Sequence, residues 1–139
     1  MKSFPLTIVT PDGLLFDGPA EEVVVRTTGG DMAILAGHVS CVASLGMGRA
    51  TVVSQGKKRH AACIGGLLSV VNGQVRLVPT TFEWADAIDA ERAEASAQRA
   101  KTVLSGKDAS DMDLKLAEAR LKRALVRKSV AELNRGIGK

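Results

Sequence analysis

A chain of 139 residues, 45% of them apolar, is enough for one core, or a small core with an appendage. No apolar run approaches the roughly 18 to 20 residues of a membrane helix, and the start MKSFPLTIVTPDG lacks the apolar stretch of a secretory signal, so a cytosolic or equivalent setting is expected. The net charge of +4 is unevenly placed: residues 114 to 139 hold eight Lys or Arg (Lys115, Arg120, Lys122, Arg123, Arg127, Lys128, Arg135, Lys139) against Glu118 and Glu132, a balance of +6 that leaves −2 for the rest. A basic terminal segment suits an acidic protein surface, a nucleic acid or a phosphorylated ligand, and a solvated helix face is the plain alternative for any one of these charges.

From Phe4 to about Pro79, turn chemistry interrupts β-branched segments every few residues, as in LTIVT then PDG, EEVVVRTT then GGD, and LLSVVNGQVRLVP. Glycine accepts positive φ, and Asn-Gly between apolar runs is a strong two-residue hairpin signal. Many short strands at this spacing mean a sandwich or flattened barrel. Alternation of Leu77, Val75 and Val71 with Arg76, Gln74 and Asn72 predicts one buried and one wet face. Cys41 and Cys63 stand apart, with no CxxC and no histidines at metal spacing, and read as two small buried thiols without a disulfide framework or a zinc site.

Beyond PTTFEWADAID the period changes. Residues 86 to 104 lack Gly and Pro, are rich in alanine and carry Asp86, Asp89 and Glu91 near the start, which predicts one helix. SGKDASDMD breaks it, and Ser110 or Asp111 caps a second helix to about Asn134, terminated by Gly136 and Gly138, with an apolar stripe of Leu114, Ala117, Leu121, Ala124 and Leu125. The fold class expected is therefore α+β, an antiparallel β-sandwich over residues 1–85 followed by an antiparallel two-helix hairpin over 86–139. Alanine methyls add at most about 0.8 kcal/mol each on burial, where a leucine gives roughly 1.5 to 3, so the hairpin should be weakly held shut. A ligand at ten times its Kd adds roughly 1.4 kcal/mol to the state that binds it, which makes a switch energetically plausible.

The order TPDGLLFDGPAEEVVVRTTGGDMAILAGHVSCVASLGMG resembles the N-terminal domain of the epsilon subunit of F-type ATP synthases of bacterial type, called delta in mitochondria. Its landmarks are Pro11-Asp12-Gly13, Phe16-Asp17-Gly18, Gly29-Gly30-Asp31 and ILAGHV from Ile34 to Val39, and the likeness extends over essentially the whole chain. The resemblance implies a sandwich of about ten strands that grips the gamma subunit and sits on the c ring as part of the rotor's central stalk in proton-driven ATP synthesis. It also implies two mobile C-terminal helices that inhibit ATP hydrolysis when extended. The segment Gly29, Gly30, Asp31 and Met32 would face the c ring, and His38 would lie towards gamma; without the family, Asp31 is an ordinary turn carboxylate and His38 a structural or surface histidine. Such a subunit is non-catalytic, requires no cofactor, and is peripheral to the cytoplasmic face of the bacterial plasma membrane.

Members that bind ATP carry Ile/Leu-Asp-x-x-Arg-Ala at the start of the first helix, matched here by Ile88, Asp89, Arg92 and Ala93, with Glu83 as the preceding acidic residue. Asp89 and Arg92 share a helix face, and Arg99 lies two turns beyond Arg92. Arg123 and Arg127, in RALVR, match the family's second-helix pattern, and together these guanidiniums suit a triphosphate. The plain reading of Asp89 and Arg92 is a surface ion pair worth a few tenths of a kcal/mol. With no Gly-x-x-x-x-Gly-Lys-Ser/Thr loop, ATP would be a regulatory signal and not a substrate. In the extended state Lys122, Arg123, Arg127 and Lys128 would meet acidic segments of the alpha/beta catalytic subunits, beta in particular; Lys128 stands where the family often has leucine.

An enzyme reading lacks parts: two histidines, His38 and His60, no tyrosine and no Gly-x-Ser-x-Gly elbow. A β-barrel nucleic-acid module with a basic helical tail is the alternative from composition, but three Phe and one Trp offer few stacking platforms, and Phe4, Phe16 and Phe82 read as core or domain-joint residues.

Overall fold

The structure, a computed structural model, describes residues 2–106 and 108–137, with side chains through Leu133. Gly138, Lys139 and the Arg135 side chain, which entered the sequence reading, lie outside the described residues. The chain divides into two compact units, Met1–Trp84 and Ala85–Lys139.

The first unit contains eight strands among the described residues: β1 (Phe4–Thr10), β2 (Gly13–Ala20), β3 (Glu22–Thr27), β4 (Gly30–Leu35), β5 (Cys41–Ser44), β6 (Met47–Ser54), β7 (Lys57–Val71) and β8 (Gln74–Trp84). They pair in the order β2-β1-β8-β7-β6-β3-β4, with β5 on β7. Every pairing is antiparallel except β1 with β8, which run parallel through Leu6↔Val75 and Ile8↔Leu77. Period-two burial explains why these segments are strands: Phe4, Leu6 and Ile8, then Val23 and Val25, then Val75 and Leu77, all point into one apolar core with Ile34, Val52 and Leu68.

Two strands serve both layers of the sandwich. β5, Leu45-Gly46 and β6 run against β7 in a single register, from Cys41↔Val70 to Ser54↔Lys57, bridged by Leu45 N–H to Gly66 O (2.8 Å) and Gly65 N–H to Gly46 O (3.0 Å). The corner is at Gly65 and Gly66, with φ of +68° and +106°. A Cβ on Gly66 would stand 2.1 Å from the Val78 carbonyl oxygen, so only glycine allows β8 to cross there. By pairing, one layer comprises β2, β1, the start of β8, the end of β7 and β5, and the other β4, β3, β6, the start of β7 and the end of β8. Counted by layer, eight continuous strands give ten segments, which is how the expected number of about ten arises.

The hairpin after β7 corrects one alternation. Asn72 and Gly73 adopt φ of +50° and +80°, the two-residue turn their sequence demands. That turn sets Val71 opposite Gln74 and Val70 opposite Val75, and directly opposed residues share a face. Val71 is therefore 54% exposed and Val70 is the buried residue, because the alternation phase does not carry through a two-residue turn. A similar turn at Gln55-Gly56 (φ +53° and +73°) joins β6 to β7, where Gln gave a weaker signal than Asn.

The second unit has a 3-10 turn (Ala85–Ala87) and helices α1 (Ala90–Ser105) and α2 (Asp111–Ile137). α1 starts at Ala90 and not at residue 86, because Asp89 is its N-cap: extended at φ −83° and ψ 99°, it accepts the Arg92 N–H at 3.0 Å. α2 opens on a reciprocal cap, Ser110 Oγ accepting the Asp113 N–H (3.1 Å) while Asp113 Oδ2 accepts the Ser110 N–H (3.4 Å). It continues through Gly136, so that glycine does not stop it. The buried residues are chiefly alanines, Ala93, Ala97 and Ala100 of α1 and Ala117, Ala124 and Ala131 of α2, with Val130. Of the expected stripe, Ala117 and Ala124 are buried, Leu114 and Leu121 partly so, and Leu125 is exposed, since it stands about 100° around the helix from Ala124.

Candidate functional site

Three places gather the residues that the sequence singles out. The first is the β3–β4 hairpin. Thr27 Oγ1 donates to Gly30 O (2.6 Å) and accepts the Gly29 N–H (3.1 Å), which tightens the turn. Gly30, at φ +122°, then leads into Asp31. Asp31 is not an isolated turn carboxylate: Arg26 Nε donates to its Oδ1 at 2.6 Å and Nη2 to Oδ2 at 3.4 Å, a two-pronged pair in which both side chains are more than half exposed. The hydrogen bond to Asp31 raises the Arg26 pKa above its ordinary value. Gly48 makes room for it, since a Cβ there would lie 2.6 Å from Arg26 Cβ. Neither Arg26 nor Gly48 stood out in the sequence, yet a two-residue turn at Thr28-Gly29 places residue 26 opposite residue 31. Met32 packs partly against the core.

The second place surrounds His38. Its N–H donates to Leu35 O (3.2 Å) across a turn with Gly37 at φ +86°, and its Nδ1 stands 2.8 Å from the Val39 carbonyl oxygen, which assigns the ring proton to Nδ1. The following Ser40 Oγ accepts the Asn72 N–H at 3.2 Å and ties this segment to the β7–β8 turn. Val39, Val42, Leu67, Val71 and Val78 are all exposed here, and the pairings Val42↔Ser69 and Leu67↔Val78 put Val42, Leu67, Val71 and Val78 on the outer face of one layer. This apolar strip was not read from the sequence, because which valines face out depends on cross-strand register.

The third place is the helical hairpin. Lys128 Nζ meets Glu94 Oε2 at 2.6 Å across α1 and α2. That oxygen is otherwise shut off from solvent and Lys128 is its partner. Hydrogen bonds from Gln98 and then Lys128 hold the Glu94 carboxyl below its ordinary pKa, and Glu94 in turn raises Lys128. At about 100° per residue, Arg92 and Arg99 differ in direction by only about 20°, as do Arg120 and Arg127, and Arg123 stands about 40° beyond Arg127. Arg99 and Arg120 line one open groove of about 680 Å³ together with Ser96, Val103, Asp113 and Leu116. The five arginines therefore share one face of the hairpin. The opposite flank carries Glu91, Glu94 and Glu132 around Lys128.

The matched motif residues have local work as well. Asp89 caps α1, Ala93 is buried in the seam, and Ile88 is half-buried. Arg92 and Arg99 are exposed, and Arg123 and Arg127 partly buried, with Arg123 Nε donating to Ala119 O at 3.4 Å. The expected Asp89–Arg92 side-chain pair is replaced by a bond from the Arg92 backbone to the Asp89 carboxylate. Glu83 lies on β8 in the strand unit, opposite Ala62. Lys122 is exposed, and Lys128 belongs to the flank away from the arginines.

Elsewhere the chemistry is quiet. His60 meets Thr51 Oγ1 at 2.9 Å, and its pKa is lowered by burial and then by Arg49 and Lys58. Burial pushes the Cys63 thiol up to about 12, which makes it inert. Trp84 is enclosed by Phe82 in an edge contact (4.9 Å), Phe16 (6.5 Å) and the Arg59 guanidinium (3.7 Å), and Phe4 is buried, so the aromatic rings are occupied in packing rather than displayed for bases. Among the described residues no three His, Cys, Asp or Glu cluster as metal ligands, and no helix is long and apolar enough to cross a membrane.

Comparison with known proteins covers both units. The family model for the ATP synthase delta/epsilon chain beta-sandwich domain matches residues 3–85, and that for the delta/epsilon chain long alpha-helix domain matches residues 86–132. The ATP synthase epsilon chain of Bacillus velezensis is 41% identical over 131 residues, covering 94% of this chain and 98% of its own. That of Ruminococcus albus is 39% identical over 132 residues, with the same coverage. Among solved structures, a chain of the Euglena gracilis mitochondrial ATP synthase (OSCP/F1/c-ring) superimposes with a TM-score of 0.81 at 25% identity, covering 91% of this chain and 80% of that one. A chain of the Tetrahymena thermophila mitochondrial ATP synthase central stalk/c-ring shares the fold, with a TM-score of 0.61 at 12% identity.

Proposed function

The chain belongs to the ATP synthase delta/epsilon family, and from that premise we propose that it is a non-catalytic central-stalk subunit whose helical hairpin restrains ATP hydrolysis when it opens. The strand unit holds the rotor partners. The apolar strip of Val42, Leu67, Val71 and Val78 beside His38 suits the gamma subunit, and the Arg26–Asp31 hairpin, polar and exposed, suits the polar loops of the c ring. The subunit is peripheral, on the cytoplasmic face of the bacterial membrane.

The observation that carries the regulatory part is the seam of the hairpin. Alanines fill it while larger apolar side chains, Met112, Leu116 and Leu125, remain at the surface, so closure is held by small contacts that a competing partner can replace. Opened, α2 offers Arg123, Arg127 and Lys122 to acidic segments of the beta subunits, and Lys128 joins them once it leaves Glu94. Closed, the arginine face suits ATP as a regulatory ligand. Reconstituting the complete enzyme with the full chain and with a chain ending at residue 84 tests this. Faster hydrolysis with the truncated chain is expected; an unchanged rate refutes a brake.

A further inference from the structure

We infer that Arg26 is a positioning residue: it holds the Asp31 carboxylate in one orientation, so that the acceptor sites it leaves open meet N–H and O–H donors on the polar loops of the c ring. This rests on the reading of the β3–β4 hairpin as the c-ring contact.

Asp31 directly follows the turn glycine Gly30, and its side chain is 61% exposed. A carboxylate placed in this way visits several staggered rotamers, and a partner that needs one of them must order it on binding. The pairing of β3 with β4 supplies that order beforehand. Arg26 stands directly opposite Asp31, where cross-strand side chains touch. Its Nε donates to Oδ1 at 2.6 Å and its Nη2 to Oδ2 at 3.4 Å, and two prongs orient the plane of a carboxylate where a single ammonium would not. A carboxylate offers about four acceptor sites, so the two bonds leave others open on the sides that the guanidinium does not cover.

Arg26 is itself held at its base. Its carbonyl accepts the Gly46 N–H at 2.9 Å. Its stem lies over bare β6 backbone at Gly48, where a Cβ would stand 2.6 Å from Arg26 Cβ and 3.0 Å from its Cγ. A Cβ on Gly46, two residues earlier and so on the same face, would come within 3.6 Å of that Cγ. Two glycines thus form a floor that fits the arginine stem and aims its head at Asp31. The fold has little need of this pair. Ion pairs between exposed side chains add little stability, and the turn is already closed by Thr27 Oγ1 on Gly30 O and the Gly29 N–H.

The test is rebinding of the catalytic sector, assembled with each chain, to vesicles that carry the c ring and have been stripped of that sector. The chains are wild type, R26Q, R26K, D31N and R26Q/D31N, with urea unfolding of each as the check on the fold. D31N should weaken rebinding about tenfold, as loss of a charge-assisted hydrogen bond implies. R26Q should weaken it about two- to tenfold, the factor set by ordering one side chain at an interface, and R26K should fall between R26Q and wild type. The double variant should be no weaker than D31N, because Arg26 acts only through Asp31. Penalties that add in the double variant, or impairment of only one of R26Q and D31N, overturn the role of Arg26 and leave the c-ring contact standing. If both single variants rebind like wild type, the c-ring reading of this hairpin fails and this inference fails with it.

Discussion

Replacing Ala97 by leucine should loosen the hairpin without touching the strand unit. Ala97 is 1% exposed, between the buried Ala93 and Ala100 of α1. Six buried methyls at no more than about 0.8 kcal/mol each set a ceiling of about 5 kcal/mol on what the alanine contacts contribute to closure. Forcing extra methylenes into such a seam costs about 1 to 3 kcal/mol, and leucine's helix propensity, close to alanine's, leaves α1 itself nearly unaffected. The open population should therefore rise about five- to 150-fold. Helices of this length are marginal alone, so opening exposes their backbone amides. Hydrogen exchange of the full chain reads this directly: faster exchange over Ala90–Ser105 and Asp111–Ile137, with the strands unchanged. Unchanged helix exchange would show that closure does not depend on close approach at the alanines. Equal acceleration in the strands would show that the two units do not unfold separately. Either result refutes the reasoning.

Two further outcomes follow from the same geometry. Gly66→Ala should cost the strand unit more than about 3 kcal/mol in urea unfolding, since its Cβ meets the Val78 carbonyl at positive φ, whereas Gly13→Ala, with nothing within 4 Å, should cost about 1 to 2. The Glu94–Lys128 pair predicts a pH window. Glu94 is lowered from 4.5, so its contribution is present above 4.5 and is lost as pH falls through the folded-state value; Lys128 is raised from 10.5, so its contribution is present below 10.5 and is lost as pH rises through the raised value. Thermal melts of the helical signal across pH should show both limbs in wild type and no acid limb from this site in E94Q; an acid limb of the same size in E94Q would remove the pair from the account.

Much of this molecule is legible from short stretches of chain. Asn72-Gly73 dictates its turn because φ, and the residues that tolerate positive φ, are local matters, and Asp89 and Ser110 cap helices through bonds that reach only three residues. The alanine period announces a thin helical seam for the same reason. What local chemistry leaves open is decided by neighbours distant in sequence. Val71 faces out because its partner across the turn is Gln74, Arg26 meets Asp31 because β3 and β4 pair in that register, and β7 with β8 spans both layers because Gly66 lets Val78 pass. In the hairpin, the motif Ile88-Asp89-x-x-Arg92-Ala93 names residues, but two of them serve the cap and the seam, and Arg120 joins Arg99 in one groove only through the register in which α1 and α2 pack. Periodicity and turn preference act over a few bonds and are written in the chain; pairing register and helix facing minimise buried area over the whole unit, and only the folded structure fixes them.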